Sequence, residues 1–199
     1  MDRIPGLFLG LHLLGLGRIA HGDAHGIIKE DRVEDDAGDA VEPVGKQAAE
    51  EFGVPFYQHF ADLINRQEVD AVVIATPDHW HAMIAVDAAR AGKDIYCEKP
   101  MALTVTEGRA MVSATRKYDR VFQTGNMQRS WRNFRHACEM VLNGYIGEVT
   151  EINVSVGEPV MACELPAMPE PGYLNWDLWV GPSLFRAYHP ELAPPIEDN

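Results

Sequence analysis

The chain has 199 residues, enough for one large or two small domains with a real core. It carries 17 Lys and Arg against 30 Asp and Glu, a formal net charge of −13, which argues against nucleic acid or an anionic membrane as partner because neither is drawn to an acidic surface. Cys97, Cys138 and Cys163 are odd in number, far apart and without metal-ligand spacing, so the sequence points to a reduced compartment and to no structural metal.

The N-terminal run from Ile4 to Leu16 is apolar and leucine-rich. It is shorter than the roughly 18 residues a membrane helix needs, and it falls within the range of a signal-peptide core. Gly6, Gly10 and Gly15 interrupt it, Gly17 follows it, and the cleavage context is poor, so a cytoplasmic reading is preferred to export. Gly15, Gly17 and Ala20 can be read as G-x-G-x-x-A after a strand end, the glycine turn that brings backbone close to a pyrophosphate at a helix N-terminus. Asp39 follows at the distance where an acidic residue holds the ribose hydroxyls of a dinucleotide. The strand expected before it, Arg32 to Gly38, is charged where a central strand is apolar, so this half of a nucleotide site is expected to be irregular.

From Pro43 the pattern is regular. Lys46 to Phe52 and Phe60 to Arg66 are predicted helices, and Val69-Asp70-Ala71-Val72-Val73-Ile74-Ala75 is a β-branched run suited to a strand buried on both faces of a parallel sheet. Thr76-Pro77 stops it, Asp78 is the expected N-cap of a helix to about Ala91, and Gly92 closes that helix. Asp94 to Cys97 begins a second strand. A strand, a helix of this length and a strand make a right-handed parallel crossover, so both strands end at one edge of the sheet. That edge receives Thr76, Pro77, Asp78, His79 and His81 from the first strand and Glu98, Lys99 and Pro100 from the second, and it is where ligands bind in open α/β sheets. His79 and His81 lie two apart, on different faces of a helix with no third ligand evident, so they predict no metal site. Trp80 reads as core packing.

Thr104-Val105-Thr106-Glu107 is a capping box opening a helix to about Tyr118 with Ala110, Met111 and Ala114 inward. Val121 to Thr124 is the next strand, and Asn133 to Leu142 a helix with Phe134, Ala137, Cys138 and Val141 on one face. Glu148 to Val156 alternates apolar and polar residues, which predicts a strand with one dry face and the start of a second domain. From Gly157 on, eight of the thirteen prolines occur with little periodicity. A single strand cannot form a sheet, so the second domain is expected to be incomplete here, as in a fragment or in a chain that pairs with a partner.

The ordered set ATPDHWHA (Ala75 to Ala82), AGKDIYCEKPMALT (Ala91 to Thr104), GNMQRS (Gly125 to Ser130), NGYIGEV (Asn143 to Val149) and WDLWVGP (Trp176 to Pro182) resembles the Gfo/Idh/MocA family of NAD(P)-dependent oxidoreductases. The resemblance covers Pro43 to about Tyr188. It implies a doubly wound Rossmann-type dinucleotide-binding domain over residues 1–125, then a partial α/β domain over 126–199 whose open sheet often mediates homo-oligomers. It implies NAD or NADP as cofactor and a sugar, inositol or related polyol as substrate. Lys99, in Glu98-Lys99-Pro100, is then the residue that sits at the substrate and assists proton transfer while hydride passes to the nicotinamide. Oxidising a secondary alcohol removes a hydroxyl proton as well as a hydride, so such a donor-acceptor is needed. By the same resemblance Ala75, Thr76, Pro77, His81 and Glu98 border the cofactor, and Asn126, Gln128 and Arg129 lie near substrate or nicotinamide. Trp176 and Trp179 either pack near the cleft or offer a stacking surface to a sugar ring.

Members of the family usually continue well past this length and supply an Asp-x-x-x-His element; after Val149 this chain has only His189, next to Pro190. Two other readings therefore stand beside the dehydrogenase. One is a non-catalytic remnant or fragment, and the other is an NAD-dependent glycosidase, which departs from two-carboxylate hydrolysis on the same fold.

Overall fold

The computed structural model describes residues 7–12, 42–157 and 163–193, with backbone alone at 7–12 and 42–44. Gly15, Gly17, Ala20 and Asp39, the residues of the expected glycine turn and ribose contact, lie outside the described residues, as does the charged run before Asp39.

Four strands, β1 (Leu7–His12), β2 (Val69–Ala75), β3 (Asp94–Cys97) and β4 (Phe122–Thr124), form one sheet in the order β1-β2-β3-β4, every pair parallel. The helices, in chain order, are α1 (Glu42–Phe52), α2 (Phe60–Ile64), α3 (Asp78–Arg90), α4 (Val105–Lys117), α5 (Arg132–Leu142) and α6 (Trp176–Val180). The strands step in one direction from β1 with α3 and α4 as crossovers, which is the half of a Rossmann-type sheet that leads away from its first strand.

The elements form for local reasons. α3 is apolar nearly all round and buries Trp80, His81, Ala82, Ile84, Ala85, Ala88 and Ala89. Asp78 is the first helical residue and Pro77 the N-cap, one position from expectation, so Asp78 faces the helix dipole from the first turn and makes no capping bond. At the other end Gly92, at φ +81°, donates to Ala89 and Lys93 donates to Ala88, a Schellman closure that only a residue at ease in the left-handed region accepts well. The Thr104 to Glu107 capping box is formed in both directions: the Glu107 N–H donates to Thr104 Oγ1, and the Thr104 N–H donates to the Glu107 carboxylate.

The core lies between the sheet and the α3/α4 layer, with Val72, Ile74, Ile84, Ala88, Ala89, Cys97 and Met111 essentially sealed from solvent. β2 is fully buried along Val72 and Ile74, whereas Ala71, Val73 and Ala75 are only partly covered by the described residues, so the expected burial on both faces holds for one of them. On α4 Met111 and Ala114, three apart on one face, point inward, but Ala110 is exposed: next to Met111 and about 100° round the helix from it, it lies at the solvent margin of the apolar stripe. Lys93 ties the layers together, since its ammonium is buried and donates to the Arg66 carbonyl at 2.6 Å and the Val69 carbonyl at 2.7 Å.

By contacts the chain divides into two units, Met1–Gly125 with Ala167–Asn199, and Asn126–Pro166. The described tail, 167–193, thus packs with the first unit, although sequence alone grouped it with the second domain. Its anchor is α6. Trp80 Nε1 donates to the Leu178 carbonyl at 3.1 Å, His79 Nε2 donates to the Trp179 carbonyl at 2.8 Å, and Gly181, at φ +48°, lies against the Trp80 indole where any Cβ would collide.

The second unit contains a 3-10 turn (Met127–Ser130), α5 and an extended segment. All its described residues from 126 to 157 are exposed, including Phe134 and Val141 on the apolar face of α5. The strand expected over Glu148 to Val156 is not formed: among the described residues no neighbouring strand pairs with it, and alternation alone makes no ladder. No helix of the described residues is long and apolar enough to cross a membrane.

Candidate functional site

The parallel registers bring the strand ends level. His12 stands opposite Ala75, Ile74 opposite Cys97, and Cys97 opposite Thr124. Just past them the Glu98 N–H donates to the Ile74 carbonyl at 2.8 Å and the Gly125 N–H donates to the Cys97 carbonyl at 2.7 Å. The loops carrying Thr76, Glu98-Lys99-Pro100 and Gly125 therefore leave the sheet at one carboxyl edge, the edge at which open α/β sheets bind ligands.

Glu98 is the centre of that edge. One carboxylate oxygen accepts the Lys99 N–H at 3.1 Å, and the other receives the Tyr96 hydroxyl at 3.5 Å. Gly125 packs so closely on Glu98 that a Cβ there would lie 2.6 Å from Oε2 and 2.9 Å from Cα. Burial raises the Tyr96 phenol above its usual range, and the Glu98 charge adds to the shift. Burial, again helped by Glu98, pushes the Cys97 thiol up to about 12, so this residue is a packing sulfur and no nucleophile. Lys99 is exposed, its peptide bond to Pro100 is cis, and its ammonium meets no partner among the described residues. A cation held at the root and free at the tip is available to an incoming ligand.

Thr76 is only 5% exposed, and its Oγ1 is buried with no hydrogen-bond partner among the described residues. Buried hydroxyls are nearly always paired, so an orphan at this edge fits a polar ligand such as the ribose or amide of a nicotinamide dinucleotide. His81 behaves otherwise than expected. Its ring is 1% exposed, with Nε2 at 2.7 Å from the Thr76 carbonyl and Nδ1 at 2.8 Å from the Pro100 carbonyl, which leaves neither nitrogen for a cofactor. Trp176 is also turned inward. It is 2% exposed, donates from Nε1 to the Arg186 carbonyl at 2.6 Å, and meets Tyr188 edge-on at 5.2 Å and Trp179 in a stack at 6.5 Å. No open indole face remains to stack on a sugar, which corrects that alternative for Trp176.

Of the residues singled out from sequence, the structure brings Ala75, Thr76, Pro77, His81, Glu98 and Lys99 together at one edge. Asn126, Gln128 and Arg129 belong to the second unit, at its 3-10 turn, and all three are exposed. No group of three or more His, Cys, Asp or Glu side chains suited to a metal ion occurs among the described residues. Sequence reasoning passed over Gly125 and Tyr96, which shape the Glu98 carboxylate. Gly125 had one legible signal, a glycine immediately after a strand end.

Comparison with known proteins agrees with this geometry. A family model described as "Oxidoreductase family, NAD-binding Rossmann fold" matches residues 12–126, more than half of the chain. A myo-inositol 2-dehydrogenase of Thermotoga maritima is 30% identical over 149 residues, covering 74% of this chain and 45% of that protein. An uncharacterised oxidoreductase of Streptococcus pneumoniae is 36% identical over 101 residues, 51% of this chain and 28% of its own. The crystal structure of myo-inositol 2-dehydrogenase from Lactobacillus plantarum superposes with a TM-score of 0.51 at 31% identity, covering 54% of this chain and 32% of that one. The chain thus spans less than half the length of each of these relatives. With the parallel sheet, the Glu98-Lys99-Pro100 edge and the match over residues 12–126 in agreement, the chain belongs to the Gfo/Idh/MocA oxidoreductase family, of which it carries the NAD-binding Rossmann fold.

Proposed function

We propose that the protein exchanges hydride between NAD or NADP and a secondary hydroxyl of a sugar, inositol or related polyol, with Lys99 holding and moving the hydroxyl proton. The observation that carries this reading is an exposed Lys99 ammonium that meets no partner among the described residues, on a backbone hydrogen-bonded at the carboxyl edge of the sheet. The nicotinamide, when bound, supplies the hydride chemistry; the chain's own residues bind, orient and manage the proton. Thr76 Oγ1 and the strand end at Ala75 would hold the nucleotide, and Glu98 fixes the Lys99 backbone through the amide it accepts. Two relatives are named as acting on myo-inositol, which favours a cyclic polyol. The choice between NAD and NADP falls to residues around Asp39. A homo-oligomer built through the second unit agrees with the apolar residues it exposes.

The test is reduction of NAD and of NADP by the protein over a panel of inositols and sugars, followed by nicotinamide absorbance. General acid-base groups contribute about 10²- to 10⁴-fold, so Lys99→Ala is expected to lower kcat by a factor in that range. An active protein whose Lys99→Ala variant turns over within threefold of it would remove Lys99 from the reaction.

A further inference from the structure

The segment Asp78 to His81 spends its side chains in two directions. His79 and Trp80 bind the tail at Trp179 and Leu178, whereas His81 turns to the ligand edge and bridges the loop after β2 to the loop after β3. We propose that His81 is a positioning residue for Lys99, acting through its Nδ1 contact with the Pro100 carbonyl. The inference rests on the reading of Lys99 as the proton-handling group.

Three contacts define where the Lys99 side chain starts. On its N-terminal side the Glu98 N–H is tied into the sheet through Ile74 at 2.8 Å. The Lys99 N–H itself is held by the Glu98 carboxylate at 3.1 Å. On its C-terminal side the chain has left the ladder, since β3 ends at Cys97, and Pro100 has no N–H to donate. The contact the structure gives that side is from the Pro100 carbonyl to His81 Nδ1, at 2.8 Å, from a ring that is sealed from water and whose Nε2 stands 2.7 Å from the Thr76 carbonyl. Both partners are carbonyls, which only accept, so the ring donates to Pro100 whenever Nδ1 carries a proton and to Thr76 whenever Nε2 does. Removing the Pro100 arm frees the backbone on one side of Lys99. A displacement of about 1 Å at a reacting group is enough to cost roughly 10²-fold in rate.

The two arms can be separated with amide isosteres. The Asn side-chain amide reaches about as far as Nδ1 and the Gln amide about as far as Nε2, so His81→Asn retains the Pro100 arm and His81→Gln the Thr76 arm. The readout is the rate at which acetic anhydride modifies Lys99 relative to Lys117 in the unliganded 199-residue chain, measured by peptide mass spectrometry. His81→Gln is expected to change this ratio at least threefold and His81→Asn to keep it within about 1.5-fold of the parent. Equal ratios in the two variants would overturn the proposal, because a ring that merely fills the core has no reason to distinguish them. Nitrogen NMR of the parent gives a check that needs no variant: a proton on Nδ1 is expected, and a ring protonated on Nε2 alone would overturn the Pro100 arm. None of these readouts uses cofactor or turnover. A protein inactive on every polyol would therefore defeat the dehydrogenase reading and leave the labelling result standing, whereas equal labelling would defeat the His81 role alone.

Discussion

At the scale of single residues, chemistry follows from what each side chain faces. Cys97 is fully buried on β3 and its thiol is pushed up to about 12, so it stays protonated through the neutral and mildly alkaline range. Iodoacetamide at pH 8 is expected to label the exposed Cys138 and to leave Cys97 unlabelled until the chain is unfolded, as read by mass spectrometry; labelling of Cys97 in the native protein would contradict its burial. Lys93→Met keeps the stem but strands the Arg66 and Val69 carbonyls, so a loss of about 3 kcal/mol is expected in denaturant unfolding. Lys99 was legible because three residues in a row fall at a strand end and recur in the family's order. His81 was legible only as a residue of the edge. Its partners are backbone carbonyls 5 and 19 residues away, and which way a ring turns depends on loops whose placement no local pattern encodes. Trp176 stayed open between two readings for a related reason, and the structure selects packing: an aromatic near a cleft looks the same in sequence whether its face is open or packed on Tyr188.

At the scale of elements, β2, α3 and β3 were readable from Val69 to Cys97 because each boundary has a local cause. Proline ends the first strand, glycine ends the helix at positive φ, and the apolar run between is too complete for a surface helix. The capping box is another such signal, and Thr104→Ala should destabilise the fold by about 1 kcal/mol, measured as a shift in the denaturant midpoint without a change in slope. Where formation depends on distant partners, sequence was a poorer guide. Glu148 to Val156 alternates like a strand but finds no ladder among the described residues. The close seat of α6 on α3 was equally hidden, since WDLWVGP suggests a tight turn but says nothing of Trp80 lying on Gly181. Gly181→Ala must displace that indole at a backbone angle that already penalises a Cβ, so we expect a loss of about 3 kcal/mol and increased exposure of Trp80 fluorescence. A Gly181→Ala variant as stable as its parent would mean that α6 does not hold the tail in this way.

At the scale of the whole molecule, the first unit presents level parallel strand ends at its described edge, together with a buried Thr76 hydroxyl and an exposed Lys99 ammonium that meet no partner among the described residues. The family match begins at residue 12 and runs to 126, so it includes the segment expected to carry the glycine turn. The most direct test of the account is titration of the 199-residue chain with NADH and with NADPH, followed by nicotinamide fluorescence, with Thr76→Val alongside. Micromolar affinity is expected for at least one of the two, weakened about three- to tenfold by Thr76→Val, as loss of one neutral hydrogen bond implies. A folded chain that binds neither nucleotide, or binds equally well with valine at position 76, would contradict the assignment of this edge as the cofactor site.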